Sequence, residues 1–155
     1  MQDTIELAKK LISFESVTPA KQDIFDFLIK IFKEKGFETK QLNFDGDGSY
    51  EVINLFATFG LNKAGSNAKH FNFACHVDVV PPGNLEDWTE NPFNPIVKDG
   101  YLYGRGSEDM KGCTAASIIS TFKFIDNNPN FNGTISFIIT GDEEADSING
   151  VDKVV

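Results

Sequence analysis

Apolar residues recur at helical spacing in two segments near the start of the chain. The first segment predicts a helix over residues 4–14, with Asp3 or Thr4 as its N-cap. The second follows Pro19 and predicts a helix that ends at Gly36. The apolar positions are Ile5, Ala8, Leu11 and Ile12 in the first segment, and Ile24, Phe27, Leu28, Ile31 and Phe32 in the second.

Several patterns typical of β-strands follow these helices. Residues 37–44 and 51–59 are predicted strands, separated by the turn Asp-Gly-Asp-Gly at 45–48. A short strand is predicted at 101–103. Residues 134–140, TISFIIT, are almost continuously apolar, which is typical of a central strand covered on both faces.

Residues 70–80, HFNFACHVDVV, alternate between two sides of a predicted strand. His76 and Asp78 fall on the same side, and a turn at Pro81-Pro82-Gly83 follows, which would leave both side chains at the carboxyl end of the strand. The opposite side carries Phe71, Phe73, Cys75, Val77 and Val79.

The order of the elements predicts an α/β sandwich. Two helices are followed by strands, by a helix from about Met110 to Asp126 that is rich in small residues, and by the central strand. A chain of 155 residues has room for one domain with its own core, or forms part of a larger protein.

Five chemically reactive side chains fall at the ends of these elements. His76, Asp78, Glu143 and Glu144 lie at the carboxyl ends of predicted strands, beyond which the ligands of open α/β sheets bind, and Asp109 lies at the start of the predicted helix. Two adjacent carboxylates in a shared pocket repel each other unless a divalent cation neutralises them. An imidazole with carboxylate oxygens suits zinc, and a bridging Asp suits a pair of ions about 3.5–4 Å apart.

Each motif also has a simpler explanation. A His beside an Asp is more often a polar pair with no ligand, and Glu-Glu after a strand is more often solvated. The glycines of GRGSEDMKG (104–112) could form a turn that caps a helix through Asp109. This motif is neither a Rossmann fingerprint nor a P-loop. The coincidence of all three motifs at element ends of one sheet favours a metal site.

Composition limits the partners and the location. A net charge of −9 disfavours nucleic acid and anionic membranes, and no run of about 18 apolar residues is present to span a bilayer. The N-terminus lacks the apolar core of a signal peptide. Two cysteines do not make a disulfide framework, so we expect a reducing cytoplasm.

The irregular segment at 81–100 has the length of a functional loop. Its aromatic residues Trp88 and Phe93 line a substrate cleft or, as we favour, hold the loop against the core. Arg105 could bind a carboxylate or pair with a nearby acid. Cys75, on the side opposite His76, is expected to be a small core residue.

The ordered motifs ACHVDVVPPG, GRGSEDMKG and FIITGDEEADSINGVDKVV resemble those of the di-zinc M20 metallopeptidase family, and the similarity runs from about Ser16 to the last residue. The resemblance implies a three-layer α/β/α sandwich of the zinc-peptidase type with a mixed central sheet. In this chain the sandwich would be truncated. It also implies two Zn²⁺ ions per complete site, for which Co²⁺ can substitute. The partners implied are a small-molecule substrate and, for the full-length enzyme, a second copy of the chain in a homodimer.

The resemblance also assigns roles to the five side chains. His76 would ligate one zinc, Asp109 would bridge both ions, and Glu144 would ligate the second. Glu143 would be the general base, and Asp78 would orient the His76 ring. The family often has a cis peptide after its bridging Asp, which makes Asp109-Met110 a candidate for that geometry.

Two ligands of the family pattern are missing from this sequence. Family members complete their metal sites with a further acidic residue and a His near the C-terminus, whereas this chain has only His70 and His76. We therefore expect residues 1–155 to be the N-terminal portion of the catalytic zinc-binding domain. The dimerisation domain and the C-terminal part of the catalytic domain would be absent, and the isolated chain would be inactive.

Within the family, the VVPPG turn and the tail after DEE favour the branch that hydrolyses the amide of N-succinyl-LL-2,6-diaminopimelate. The alternative within the family is removal of an acetyl group, as from acetylornithine. An alternative from another class is a non-catalytic fragment that binds a cation weakly or self-associates, because a cut sheet exposes strand edges.

Overall fold

The computed structural model describes residues 3–60 and 68–155. Within these two ranges, three helices, α1 to α3, and six strands, β1 to β6, are numbered in chain order. They are α1 (Thr4–Ile12), α2 (Gln22–Glu34), β1 (Glu38–Gly46), β2 (Ser49–Phe59), β3 (His70–His76), β4 (Ile96–Lys98), β5 (Tyr101–Tyr103), α3 (Lys111–Asn127) and β6 (Thr134–Thr140). Single 3₁₀ turns occur at Leu85–Asp87 and Val151–Lys153.

A mixed four-stranded sheet forms the centre of the fold, in the order β1-β2-β6-β3. The β1-β2 and β2-β6 pairs are antiparallel, and β3 runs parallel to β6. Every residue of β6 is buried, as its apolar sequence predicts for a central strand. These features confirm the predicted α/β class and its mixed central sheet.

A group of phenylalanines joins α2 and α3 to one face of this sheet. Phe137 of β6 lies 5.1 Å from Phe32 of α2 and 4.8 Å from Phe73 of β3, between ring centroids. Phe122 of α3 meets Phe32 edge-on at 5.9 Å. Much of the unusual phenylalanine content therefore serves the helix-covered face, where aromatic rings bury a large apolar area per residue.

The opposite face is contacted at the carboxyl end of β6 by residues 142–153. The side-chain amide of Asn54 donates to the carbonyl of Asn149 (3.0 Å), whose own amide donates to the carbonyl of Tyr50 (2.9 Å). The second helix layer of a three-layer sandwich stays a prediction. Among residues 3–60 and 68–155, no helix has both the length and the apolar character needed to cross a bilayer.

The first two helices lie where they were predicted, but their buried faces differ in part from the predicted stripes. In α1, Ile5 is 44% exposed although the stripe includes it, and Leu7 is fully buried although the stripe omits it. The carboxylate of Asp3 caps α1 by accepting a hydrogen bond from the Glu6 amide (3.0 Å). In α2, Phe25 is fully buried although the predicted stripe omits it, whereas Phe27 and Ile31 are half-buried. The Phe25 ring reaches the backbone at Gly141, beyond the end of β6, so the apolar face of α2 extends further around the helix than the spacing indicated.

Two strand predictions differ from the structure. Strand β3 ends at His76 rather than near residue 80, because the chain then pairs with residues 16–18 through a Val17-Val79 bridge. Strand β4 lies inside the segment that we predicted to be irregular, where it pairs with β5. The sequence feature that could have predicted β4 is the Asp99-Gly100 turn. Both of its residues have positive φ angles (52° and 82°), as a tight hairpin requires.

Phe137 and Phe71 lie on neighbouring strands and provide a matched test of this core. Phe137 is fully buried, whereas Phe71 is 60% exposed. We expect Phe137→Ala to lower the free energy of unfolding by about 3–5 kcal/mol. Phe71→Ala should change it by about 0.5 kcal/mol or less. Urea unfolding of both variants measures the difference, and equal losses would contradict the described packing.

Candidate metal centre

The parallel pairing of β3 and β6 brings the predicted site residues to one edge of the sheet. His76 is the last residue of β3 and pairs in register with Thr140, the last residue of β6. Glu143 and Glu144 follow β6 after a short turn, and Asp109 lies on the loop before α3. Asp109 and Glu144 are 33 and 68 positions away from His76 in sequence, and the topology of the sheet brings the three side chains together.

Three of these side chains form a group able to hold a metal ion. One ligand atom each from His76, Asp109 and Glu144 lie within 4.8 Å of one another. His76 is buried, Glu144 is half-buried and Asp109 is exposed. The donor set of one imidazole nitrogen and two carboxylate oxygens fits zinc, which binds N and O ligands.

The two nitrogens of the His76 ring face different partners. Nε2 lies 3.0 Å from Oδ1 of Asp109, on the side of the acidic group. Nδ1 lies 3.1 Å from the carbonyl of Asp78 and 3.4 Å from its carboxylate Oδ1. A proton on Nδ1 satisfies both Asp78 acceptors and leaves the Nε2 lone pair free for a cation, which is the tautomer that Asp78 was predicted to fix.

The charge of the site favours a second proton on the His76 ring when no cation is bound. Burial of the ring opposes its protonation, but hydrogen bonds to the carboxylates of Asp78 and Asp109 outweigh burial and raise the pKa of His76 to about 9. A metal ion has to replace this proton, because both occupy the same acidic environment.

The Asp78 carboxylate connects the two strand ends. It is fully buried and accepts hydrogen bonds from the Thr18 hydroxyl (2.7 Å) and from the backbone amides of Glu143 (3.0 Å) and Glu144 (3.1 Å). Burial would raise the pKa of Asp78, but hydrogen bonds from His76, Thr18 and the two amides hold it below its ordinary value. Asp78 therefore fixes the histidine ring and the Glu-Glu backbone together.

Held in this way, Glu143 and Glu144 direct their side chains to one pocket although they are adjacent in sequence. Oε2 of Glu143 lies 3.8 Å from Nε2 of His76, and its side chain is 55% exposed and open to solvent. Burial raises the pKa of Glu144, and the nearby Asp109 carboxylate adds to this effect. A divalent cation would relieve the repulsion among the three acids.

The capping role considered for Asp109 is wrong. The N-cap position of α3 is Met110, and no side chain caps this helix end. The Asp109-Met110 peptide bond is cis, as the family resemblance implies. Gly112 permits the tight turn, because a Cβ there would lie 2.1 Å from the carbonyl oxygen of Ser107.

Two residues that contact this site were not identified from the sequence. Thr18 binds Asp78, and Lys111 is fully buried directly after Met110, with its ammonium donating to the carbonyl of Phe14 (2.9 Å). Burial lowers the pKa of Lys111 to about 8. The sequence features that could have identified these two residues are the Thr-Pro pair before α2 and the lysine inside the GRGSEDMKG motif.

The other residues considered from the sequence lie outside the metal group. Nε1 of Trp88 donates to the carbonyl of Pro82 (2.9 Å), and the Arg105 guanidinium lies over the Trp88 ring, so these two residues hold the loop together. Cys75 is buried in the core as predicted. His70, at the opposite end of β3 from His76, bonds to Ser136 (2.7 Å).

Comparisons with known proteins show what this chain is similar to. Residues 73–155 match the model of peptidase family M20/M25/M40. The chain is 44% identical over 151 residues to the succinyl-diaminopimelate desuccinylase of Pelagibacter ubique, covering 97% of this chain and 38% of that enzyme. It is 41% identical over 153 residues to the succinyl-diaminopimelate desuccinylase of Acinetobacter baylyi, covering 99% and 38%. The chain thus spans well under half the length of these relatives.

Solved structures share the fold. Human carnosine dipeptidase 1 superimposes with a TM-score of 0.78 at 24% identity, covering 98% of this chain and 34% of that protein. An M20 family metallo-carboxypeptidase from Sulfolobus solfataricus gives a TM-score of 0.75 at 19% identity, covering 96% and 33%. At these identities, the similarity concerns the arrangement of helices and strands.

The two histidines of the chain offer a matched test of the metal group. We expect His76→Ala to weaken Zn²⁺ binding by the 155-residue chain about 100-fold or more, since loss of a residue that only supports a ligand already costs 10–100-fold. His70→Ala should leave the affinity unchanged, because His70 lies six strand residues away, about 20 Å. Competition with a chromophoric chelator measures both affinities. Equal affinities for the two variants would exclude His76 as a ligand.

Proposed function

This chain belongs to the peptidase family M20/M25/M40, and from that membership we propose that it forms part of a zinc-dependent amidohydrolase. The proposed reaction is hydrolysis of N-succinyl-LL-2,6-diaminopimelate to succinate and LL-diaminopimelate, a step in the synthesis of lysine and of cell-wall precursors. The relatives named succinyl-diaminopimelate desuccinylase support this choice, at 41% and 44% identity across nearly the whole chain. The proposed location is the cytoplasm.

The single observation that carries the proposal is the group formed by His76, Asp109 and Glu144, with ligand atoms within 4.8 Å of one another and the Glu143 carboxylate beside it. His76 would hold one zinc, Glu144 a second, and Asp109 would bridge them. When bound, zinc supplies Lewis-acid polarisation of a carbonyl and lowers the pKa of water towards neutrality. Co²⁺ has the same ligand preferences and is proposed to substitute.

The Glu143 carboxylate is suited to move the proton in this reaction. It is solvent-accessible and next to the metal group, whereas Asp78 is fully buried and committed to four hydrogen-bond partners. Glu143 would accept a proton as the oxygen of water attacks the amide carbon. It would then deliver that proton to the departing amine, so that the C–N bond breaks with no net change at the carboxylate.

Three ligands are too few for two zinc ions that each have about four. We propose that residues outside these 155 complete the site and that the isolated chain does not turn over substrate. We also propose that the longer protein is a homodimer. A non-catalytic, metal-binding fragment is thus the expected behaviour of residues 1–155 alone.

Substitution of Glu143 tests its role in a protein of the relatives' length that carries these residues. We expect Glu143→Gln to lower kcat by about 10²–10⁴-fold with little change in KM, because the variant keeps the size and polarity of the side chain but cannot accept the proton. Glu34→Gln on the exposed surface of α2 is the control and should keep full activity. A Glu143→Gln enzyme within a few-fold of the unmodified enzyme would exclude the general-base role.

The acyl group is tested separately with matched substrates in the same protein. We expect kcat/KM for the N-succinyl substrate to exceed that for an N-acetyl analogue by about 100-fold or more, since loss of a buried charged contact costs several kcal/mol. Steady-state assays of released amine measure this ratio. A preference for the acetyl substrate would contradict the proposed reaction and indicate a deacetylase of the same family.

A further inference from the structure

The segment between α1 and α2, residues 14–20, crosses the carboxyl ends of both parallel strands at the metal group. The Ser16 hydroxyl donates to the carbonyl of Val77 (2.6 Å), just after β3. At its other end, the Ala20 amide donates to the carbonyl of Gly141 (2.8 Å), just after β6. This 14–20 segment therefore bridges the two chain turns that carry the proposed ligands.

Backbone hydrogen bonds fix Thr18 in the middle of this bridge. The Thr18 amide donates to the carbonyl of Val79 (3.2 Å), and the Val79 amide donates to the carbonyl of Ser16 (3.0 Å). The ammonium of the fully buried Lys111 holds the start of the segment through the carbonyl of Phe14 (2.9 Å). The position of the Thr18 side chain is thus determined by the strand end, by the segment itself and by α3.

From this arrangement, we propose that Thr18 is a positioning residue that sets the orientation of the Asp78 carboxylate and, through it, of His76 and the Glu143-Glu144 backbone. The inference rests on the proposed function, since it assigns a role at the same metal group. None of the ligands is contacted by Thr18 directly. Its hydroxyl acts on Asp78 alone at short range, at 2.7 Å from Oδ2, whereas its second contact, with the carbonyl of Val79, is 3.4 Å long.

The hydroxyl matters because the Asp78 carboxylate serves several partners at once. Oδ1 lies 3.4 Å from Nδ1 of His76 and accepts from the Glu143 amide (3.2 Å). Oδ2 accepts from the same amide (3.0 Å) and from the Glu144 amide (3.1 Å). The two oxygens of an ionised carboxylate are equivalent, so a half-turn about the Cβ–Cγ bond changes nothing, but a smaller rotation would move both oxygens away from the imidazole and the amides. The Thr18 hydrogen bond to Oδ2 opposes such a rotation and holds the carboxylate plane in which the imidazole and both amides are satisfied together.

A matched pair of substitutions in the 155-residue chain separates the hydroxyl from the shape of the side chain. Thr18→Val keeps the β-branched shape and removes the donor, whereas Thr18→Ser keeps the donor and removes the methyl group. Backbone amide hydrogen exchange, followed by NMR without metal, reports the Asp78 bonds directly. We expect exchange at Glu143 and Glu144 to be about tenfold faster in Thr18→Val, with the amides of β2 and β6 unchanged and with Thr18→Ser close to the unmodified chain.

Zn²⁺ affinity, measured by chelator competition, provides the second readout. We expect Thr18→Val to lower it about tenfold and Thr18→Ser to retain it, because residues that orient ligands typically contribute 10–100-fold. The two readouts separate the possible failures. Unchanged exchange at Glu143 and Glu144 in Thr18→Val would overturn the positioning role whatever the affinity. Faster exchange in a chain that binds no Zn²⁺ would support the positioning of Asp78 and refute the proposed metal function.

Discussion

A buried carboxylate has to be surrounded by hydrogen-bond donors, and the donors that surround Asp78 determine the arrangement of the carboxyl edge of the sheet. It is fully buried, and its four donors come from three separate parts of the chain: the segment before α2, the end of β3 and the two residues Glu143 and Glu144 after β6. Removing an ionised carboxylate from water without such partners would cost far more than a small domain can offset. The geometry of the proposed metal group follows from how this one charge is satisfied.

The constraint explains why adjacent acids after β6 serve one site. In an extended strand Glu143 and Glu144 would point in opposite directions, but both amides turn towards Asp78, and this turn brings both side chains to the pocket beside His76. The same carboxylate orders the Nδ1 side of the imidazole, which leaves Nε2 towards Asp109. The remaining negative charge of the acids is what a cation would neutralise.

Much of the fold was predictable because its elements carry strong local patterns. The apolar run TISFIIT identified β6 as the central strand, and the alternating segment before Pro81 identified β3. The end of β3 at His76 was not predictable, since it depends on pairing with residues 16–18, which are about sixty positions away in sequence. Phe25 was missed for a related reason: it joins the core next to the backbone at Gly141, after β6, and this contact cannot be deduced from the spacing within α2.

At the site, the chemistry of each residue type was readable but the supporting contacts were not. The structure places His76, Asp109 and Glu144 together and sets Asp78 behind the imidazole, whereas their roles towards metal stay predictions. Thr18 and Lys111 carry no local signature of their function, because threonine and lysine are common on surfaces and only the tertiary fold buries the lysine. Residues that support a site through long-range contacts need the fold before they can be identified.

In the isolated 155-residue chain, whose three ligands are too few for two zinc ions, we propose that the imidazole of His76 and the carboxylates of Asp109 and Glu144 share one metal ion at the carboxyl edge of the sheet. Anomalous X-ray diffraction at the zinc absorption edge, from crystals of the 155-residue chain grown with Zn²⁺, tests this most directly. We expect one peak about 2.0–2.2 Å from Nε2 of His76 and from an oxygen of each carboxylate. Zinc found only at other surfaces, such as beside His70, with these three side chains unligated would contradict it.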